Sequence, residues 1–534
     1  MPVNMVPEQL SRTWHTVIRL KPVQVRYQLQ YRMPSGNGRL NRFRYRSSMA
    51  VTGSPVKLIP WITKPHAADG NTFSFLNREM EMESGIRWDE TTFGKLWTYN
   101  LNYMDYLLQE RMSTAEGTRY IMDFIRDLPR NSTGKEPYPI SLRGINWIKF
   151  ITAHQIRDRR TDHALFAQYR LLKNHPEYHL MGNHLLENGL SLLFGGIYFR
   201  DQGLFAKAEK ILAAELPEQI LTDGAHFELS PMYHQVILDR LLDGINLLKN
   251  NHVFDNQGPL LALMSEKASL MLGWLERITF SDGTIPLFND SAFGIAPSTK
   301  ELVAYAGRLG IPVRMTRPGQ SGYRAFNFQN YEIRLDVGEV GPTYQPGHAH
   351  ADTLNFELYH RGKPLIVDTG TSTYEKNGRR MLERGTAAHN TVQVDGLDSS
   401  EVWGGFRVAR RASIIHLHEE GNTIGAGHDG YSRLGITHYR RFQCEPDSIQ
   451  ITDKLTGRNQ KEGTARFHFH PSVQPEIEDH TVRFRGGTIS FTGAGEVSVT
   501  EFQYAPTFNN LQPARVVEVL FTGKLSTTIT FNQQ

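Results

Sequence analysis

The strongest constraint on this chain is a change of hydrophobic period part-way along it. From about Asn71 to Arg308, apolar residues recur every three to four positions, as in Tyr103, Tyr106, Leu107 and in Leu185, Leu186, Leu190, Leu193. That spacing predicts amphipathic helices, including 145–157, 183–199, 204–214, 231–250 and 259–277. After the stretch 314–323, which carries Pro318, Gly319, Ser321 and Gly322, strict alternation takes over, as in Tyr331–Val337, Thr353–Tyr359 and Ser448–Thr452. Many short alternating runs with turn signals between them predict a large antiparallel sandwich. The chain therefore divides into a lead-in at 1–70, a helical domain at 71–313 and a β domain at 324–534. With 534 residues and 39% hydrophobic side chains, each large domain can fill its own core.

Charge and composition remove several function classes. The 59 Lys/Arg and 55 Asp/Glu residues nearly cancel, and no low-complexity tract suggests disorder. A lone cysteine, Cys444, excludes an internal disulfide and a thiolate zinc knot. No apolar run reaches the length of a membrane span, and Arg19 and Lys21 interrupt the best candidate for an export signal. The small net charge conceals an asymmetry: residues 1–50 hold nine Lys/Arg against the single acid Glu8, leaving 50 basic and 54 acidic residues, or −4, elsewhere. Arg39, Arg42, Arg44 and Arg46 could rest on an acidic polymer, an anionic lipid surface or nucleic acid, or simply be solvated. With the excess confined to this arm, nucleic-acid binding is disfavoured.

Chemically able residues gather in two places. The β half opens with Gly347-His348-Ala-His350-Ala-Asp352, then Val367-Asp368-Thr-Gly370, then Arg384 and His389-Asn390. On a strand, the spacing of His348 and His350 would aim both rings at one face, and two imidazoles with a carboxylate are ligand types for zinc. The pair Phe467-His468-Phe469-His470 has the same spacing without an Asp-Gly segment or a His-Asn pair nearby, and reads as structural. The helical half offers Gly182-Asn183-His184 with Glu187, and Ser230-Pro231-Met-Tyr233-His234. Asn183 suits a helix N-cap, and Ser230-Pro231 a cap followed by proline at the first helical position. Tyr233 then lies in a first turn, where the helix dipole would lower its pKa below about 10.

Together with the segments 96–103 and 138–147, these motifs resemble the heparinase II/III-like polysaccharide lyases across most of the chain. The resemblance implies an incomplete α/α toroid followed by an antiparallel β-sandwich, and β-elimination at a uronic acid in an anionic polysaccharide, heparin- or heparan-like first and alginate-like second. It implies that Asn183 and His184 neutralise the uronate carboxylate, that Tyr233 or His348 takes the C5 proton, and that Tyr233 protonates the departing O4. It further implies a structural divalent metal, zinc first, on His350, Asp368 and His389, with Asn146, Trp147, Glu187 and Arg384 as substrate contacts. A periplasmic or cell-envelope location in surface-polysaccharide metabolism is expected from the family, against a cytoplasmic alternative.

Three competing readings share these residues. A uronate C5 epimerase would return the abstracted proton to the opposite face. A hydrolase would need two carboxylates across the cleft, for which Asp223 and Glu228 are the best pair. A non-catalytic polysaccharide-binding or assembly protein would keep the groove alone.

Overall fold

The protein is described by a computed structural model covering residues 5–33, 51–458 and 460–532; Arg39, Arg42, Arg44 and Arg46 lie outside the described residues. The helical half contains Lys95–Tyr103, Thr114–Asp127, Pro137–Ala153, Arg159–Asn174, Gly182–Phe199, Gln202–Gln219, Pro231–Asn250, Gln257–Ile278 and Thr299–Arg308. Consecutive helices pack as hairpins around a common wall, and Gly182–Phe199 is buried almost all round, as its Leu-rich sequence requires. Gly196 permits the tight return into the next helix: a Cβ there would stand 2.8 Å from the Phe205 nitrogen. The helix expected at 145 begins at Pro137, because Pro137 and Pro139 fall in a first turn that needs no N–H donors.

Residues 68–81, where helix was expected to begin, form instead a small antiparallel sheet of Ala68–Asp69, Thr72–Phe75 and Arg78–Glu81. The turn between its last two strands is Leu76-Asn77, both at positive φ, the backbone that suits a tight hairpin. Phe73 and Phe75 pack from this sheet onto Tyr106 and Trp97 of the helical wall. Among the described residues, no helix is long and apolar enough to cross a membrane.

The β half is a sandwich. A four-stranded antiparallel sheet, Tyr323–Asn327, Tyr331–Asp336, Phe356–His360 and Lys363–Ile366, faces a ten-stranded one whose spine is the long hairpin Gly487–Thr507 and Asn510–Phe531. Inward residues of both, among them Ile333, Leu335, Phe356, Phe442, Ile451, Val517 and Val519, make one core.

The two halves are stapled by the link Asn289–Ser291. Ser230 donates to the Asp290 carbonyl at 2.6 Å, and Asn289 donates to Leu229 O at 3.0 Å and accepts from His350 N at 2.9 Å. The Asp290 N–H reaches His348 O at 3.0 Å. The start of the helix Pro231–Asn250 is thereby fixed against the His348–His350 segment.

Candidate active site

Ser230 caps its helix as the sequence predicts, accepting from Tyr233 N at 3.2 Å. Asn183 does not act as a cap. The helix starts at Gly182, and the Asn183 N–H goes to the Glu228 carboxylate at 3.1 Å, so an acid from another segment caps that helix and frees the amide side chain. The Asn183 Nδ2 donates to Glu228 Oε2 at 2.8 Å and stands 3.3 Å from His348 Nε2.

His348 is oriented from behind. Its Nδ1 lies 2.9 Å from Asp290 Oδ2, while His350 Nε2 lies 2.9 Å from Asp290 Oδ1. Arg380 closes the set with both terminal nitrogens on the two carboxylate oxygens, Nη2 to Oδ2 at 2.7 Å. Burial alone would raise the Asp290 carboxyl, but the guanidinium and the two imidazole hydrogen bonds hold it well below the usual carboxylate range. An ionised carboxylate only accepts, so His348 carries its hydrogen on Nδ1 and presents the Nε2 lone pair towards Asn183. Burial pushes His350 down to about 3, keeping it neutral.

Tyr233 stacks on His348, with ring centroids 3.8 Å apart at 28°. Tyr374 donates to its hydroxyl at 3.2 Å. The expected lowering of the Tyr233 pKa does not occur: burial pushes the phenol above its ordinary value and outweighs that hydrogen bond, so the hydroxyl keeps its proton at neutral pH. Beside Tyr233 opens a cavity of about 130 Å³ between the two halves, whose lining includes Asn100, Tyr103, Tyr138, Arg240 and Tyr374. His184 sits on Tyr138 at its rim, and its Nδ1 pairs with Glu177 at 3.1 Å. Burial opposes that charge, but Glu177 outweighs it and raises the imidazole pKa, favouring a cation next to Asn183.

The four expected substrate contacts lie elsewhere. Trp147 is fully buried, its indole N–H on Met104 Sδ at 3.1 Å, and Asn146 is buried against Tyr103 O and Asp105. Glu187 is fully buried behind Arg240, 3.7 Å away, and burial pushes its carboxyl up to about 7. Arg384 is buried and donates to Ala349 O at 2.8 Å, bracing the loop between His348 and His350 rather than lining the cleft. The arginine that meets the site, Arg380, is one helical turn earlier in Gly378–Arg384.

The metal centre expected on His350, Asp368 and His389 is not formed. Among the described residues no group of three or more His, Cys, Asp or Glu side chains is placed to hold a metal ion. The physical reason is that the expected ligands are already engaged: Asp368 accepts from His389 Nδ1 at 2.7 Å, from Asn355 at 2.6 Å and from Gly370 N at 3.1 Å, and His350 is spent on Asp290. The leftover ring nitrogens, His350 Nδ1 and His389 Nε2, are two and not three. Asp223, offered as half of a hydrolytic pair, is tied to Ser321 by its side chain. His468, read as remote from any His-Asn pair, lies against Asn390, 3.1 Å from its Oδ1. Asp290, Arg380 and Tyr374 escape a sequence reading because they sit in linkers and a short helix without periodic pattern; Glu228, weighed only as a hydrolytic acid, is an N-terminal cap.

Comparison with known proteins agrees with this architecture. Residues 147–305 match the Heparinase II/III N-terminus model and residues 312–533 the Heparinase II/III-like, C-terminal model. A heparin-sulfate lyase of Bacteroides stercoris is 24% identical over 416 residues, covering 66% of this chain and 60% of the relative. One from Pedobacter heparinus is 25% identical over 244 residues, 41% of this chain and 37% of that protein. The chain thus spans about 60% or less of the curated relatives it matches. A crystal structure of heparinase III superposes with a TM-score of 0.66 at 16% identity, covering 96% of this chain and 92% of that one. With matched models on both halves and the same two-part fold, the chain belongs to the heparinase II/III-like family.

Proposed function

We propose that this chain is a carbon–oxygen lyase that cleaves a uronic-acid-containing anionic polysaccharide, heparin- or heparan-like first and alginate-like second, by β-elimination. The observation that carries this reading is the meeting of Asn183 and Tyr233 from the helical half with His348 from the β half. Elimination needs a hydrogen-bond donor to quench the uronate carboxylate, a base for the C5 proton and an acid for O4. Asn183 supplies the first, next to His184, which Glu177 biases towards the cation against the effect of burial. A carboxylate arriving there displaces the 3.3 Å contact between Asn183 Nδ2 and His348 Nε2, releasing the donor and the base together.

His348 Nε2 takes the C5 proton, the C–H electron pair becomes the C4=C5 bond, the C4–O4 bond breaks, and the Tyr233 hydroxyl protonates O4. A phenol whose pKa is raised by burial holds that proton until the leaving oxygen needs it. Because Tyr233 and His348 are stacked, base and acid reach the substrate from one side. That supports a uronate whose C5 hydrogen and O4 leave from the same face, and it favours elimination over epimerisation, which needs proton donors on opposite faces.

The test is near-ultraviolet absorbance of the 4,5-unsaturated uronate during incubation with heparosan, heparan sulfate, hyaluronan, alginate and bacterial capsule polymers. A rise on one polymer that Tyr233→Phe reduces by about 10²–10⁴-fold is the expected result. No rise on any of them, with the protein folded, would remove the lyase reading.

A further inference from the structure

The first two helices, Met5–Val17 and Pro22–Arg32, attach to the body in an unusual sense. An amphipathic helix on a globular protein normally buries its apolar stripe. Here the first helix meets the body through polar side chains, and the second through a mixed face on which Val23 and Tyr27 pack beside its polar contacts. Arg12 pairs with Glu401 at 3.2 Å, Ser11 accepts from Arg410 at 2.9 Å and Thr16 accepts from Trp403 at 3.2 Å. In the second helix Gln24 donates to Leu180 O and Gln345, and Tyr31 to Pro176 O at 2.7 Å.

The opposite faces carry Leu10, Trp14, Val17 and Ile18, and Val25, Leu29 and Met33, all exposed, with Leu10 and Trp14 each 65% accessible. Of fourteen exposed large hydrophobic residues among those described, seven fall between positions 10 and 33. The same segment bears exposed Arg19, Arg26 and Arg32, and residues 9–33 contain no acid. An apolar patch this concentrated marks an interaction surface.

We propose that this helix pair is a docking surface for an anionic phospholipid bilayer, entered to the interfacial depth by Leu10, Trp14, Ile18 and Leu29. Two observations choose lipid over other partners. The positive charge without acids matches an anionic headgroup layer. The Trp, Leu and Ile stripe matches the headgroup–acyl boundary, whereas a dissolved polysaccharide offers nothing to an outward Leu10 or Ile18. The second helix touches Leu180, three residues before Asn183, so a docked bilayer would lie on the flank that supports the first turn of the candidate site.

Vesicle flotation with the full chain tests this, using phosphatidylcholine alone and phosphatidylcholine with about a third phosphatidylglycerol. The expected result is flotation at least about tenfold stronger on the anionic vesicles, weakened by salt. Trp14→Asp and Leu29→Asp should each remove it without changing the circular dichroism melting curve, because neither side chain packs on the body. Arg19→Gln with Arg26→Gln should weaken it by about tenfold. The proposal is overturned by absence of flotation, by equal flotation on neutral vesicles, or by flotation indifferent to Trp14→Asp. It is overturned equally by light scattering that shows a dimer dissolved by Trp14→Asp without lipid binding, or by retention on a soluble anionic polymer that the arginine substitutions reduce and Trp14→Asp does not.

Discussion

Of the buried aspartate–histidine clusters among the described residues, two flank the candidate site, and they do opposite things. Asp290 faces His348 and His350; Asp368 faces His389. The difference is the counter-ion. Asp290 is neutralised by Arg380, and burial drives His350 down to about 3. Among the described residues no arginine pairs with Asp368, so His389 becomes the counter-ion: burial opposes its charge, but Asp368 raises its pKa above the ordinary value. A permanent cation beside the carboxylate leaves His348 with a lone pair to use, whereas a pair that balances its own charge is only a brace.

The largest effect should follow from removing the hub of the first pair. Asp290→Ala leaves Arg380 buried without its carboxylate and releases His348, and breaking a buried pair in this way costs about 3–5 kcal/mol. Denaturant unfolding should show that loss, with lyase turnover falling to background. A variant that melts normally and turns over would mean that Asp290 does not organise the site.

Arg380→Gln sharpens the comparison by converting the first pair into the second. With the guanidinium gone, the buried Asp290 carboxylate loses its permanent counter-ion and only the imidazole hydrogen bonds remain to hold it. The acidic, rising limb of the turnover–pH profile should move to higher pH, because Asp290 would then be balanced only by its imidazole partners. An unmoved limb with reduced turnover would assign Arg380 to substrate binding alone.

Asp368→Asn is expected to touch stability and leave chemistry nearly intact. Burial would raise Asp368, but His389 lowers it, so its stabilisation is present above its unfolded pKa of about 4 and is lost as pH falls through the lower folded value. His389 is raised, so its share is full below about 6.5 and disappears as pH climbs through its folded pKa. The wild-type unfolding free energy should therefore peak between those limits, and Asp368→Asn should lower and flatten that peak by about 1–3 kcal/mol. A collapse of turnover at unchanged stability would undo the distinction between the two pairs.

What was legible in the sequence follows the same division. Periodic segments announced themselves: the Leu-rich helix at 183–199, the Ser230-Pro231 start that fixes Tyr233, and the alternating strands of the sandwich. His348 was legible through its neighbours. Asp290 was not, because it lies in a non-periodic link and its partners come from positions 348, 350 and 380. Arg384 was named from its place before His389, but spacing along a chain does not tell which buried arginine of a seven-residue helix reaches Asp290 and which braces a loop. The helix dipole at Tyr233 was a correct local effect, overruled by desolvation that only the packed structure reveals.

The smallest expected effect concerns His184, which stands in the helical wall and owes its charge to Glu177. Burial works against that charge, and Glu177 lifts the imidazole pKa above its ordinary value, so the cation persists to higher pH than a free histidine and is lost beyond its raised pKa. The ring is partly exposed, so its attraction for a uronate is screened and contributes about 1 kcal/mol, or roughly fivefold. His184→Gln should therefore raise KM about fivefold at acidic pH with kcat little changed, the signature of binding that is equal in ground and transition states. At pH above the histidine pKa the two proteins should converge, since the wild type has by then lost the same charge. Glu177→Gln should lower the pH at which the wild-type KM begins to rise, because the imidazole would no longer be held protonated. If His184→Gln lowered kcat and left KM alone, the ring would be acting on the enolate-like transition state beside Asn183, and charge quenching would belong to both side chains.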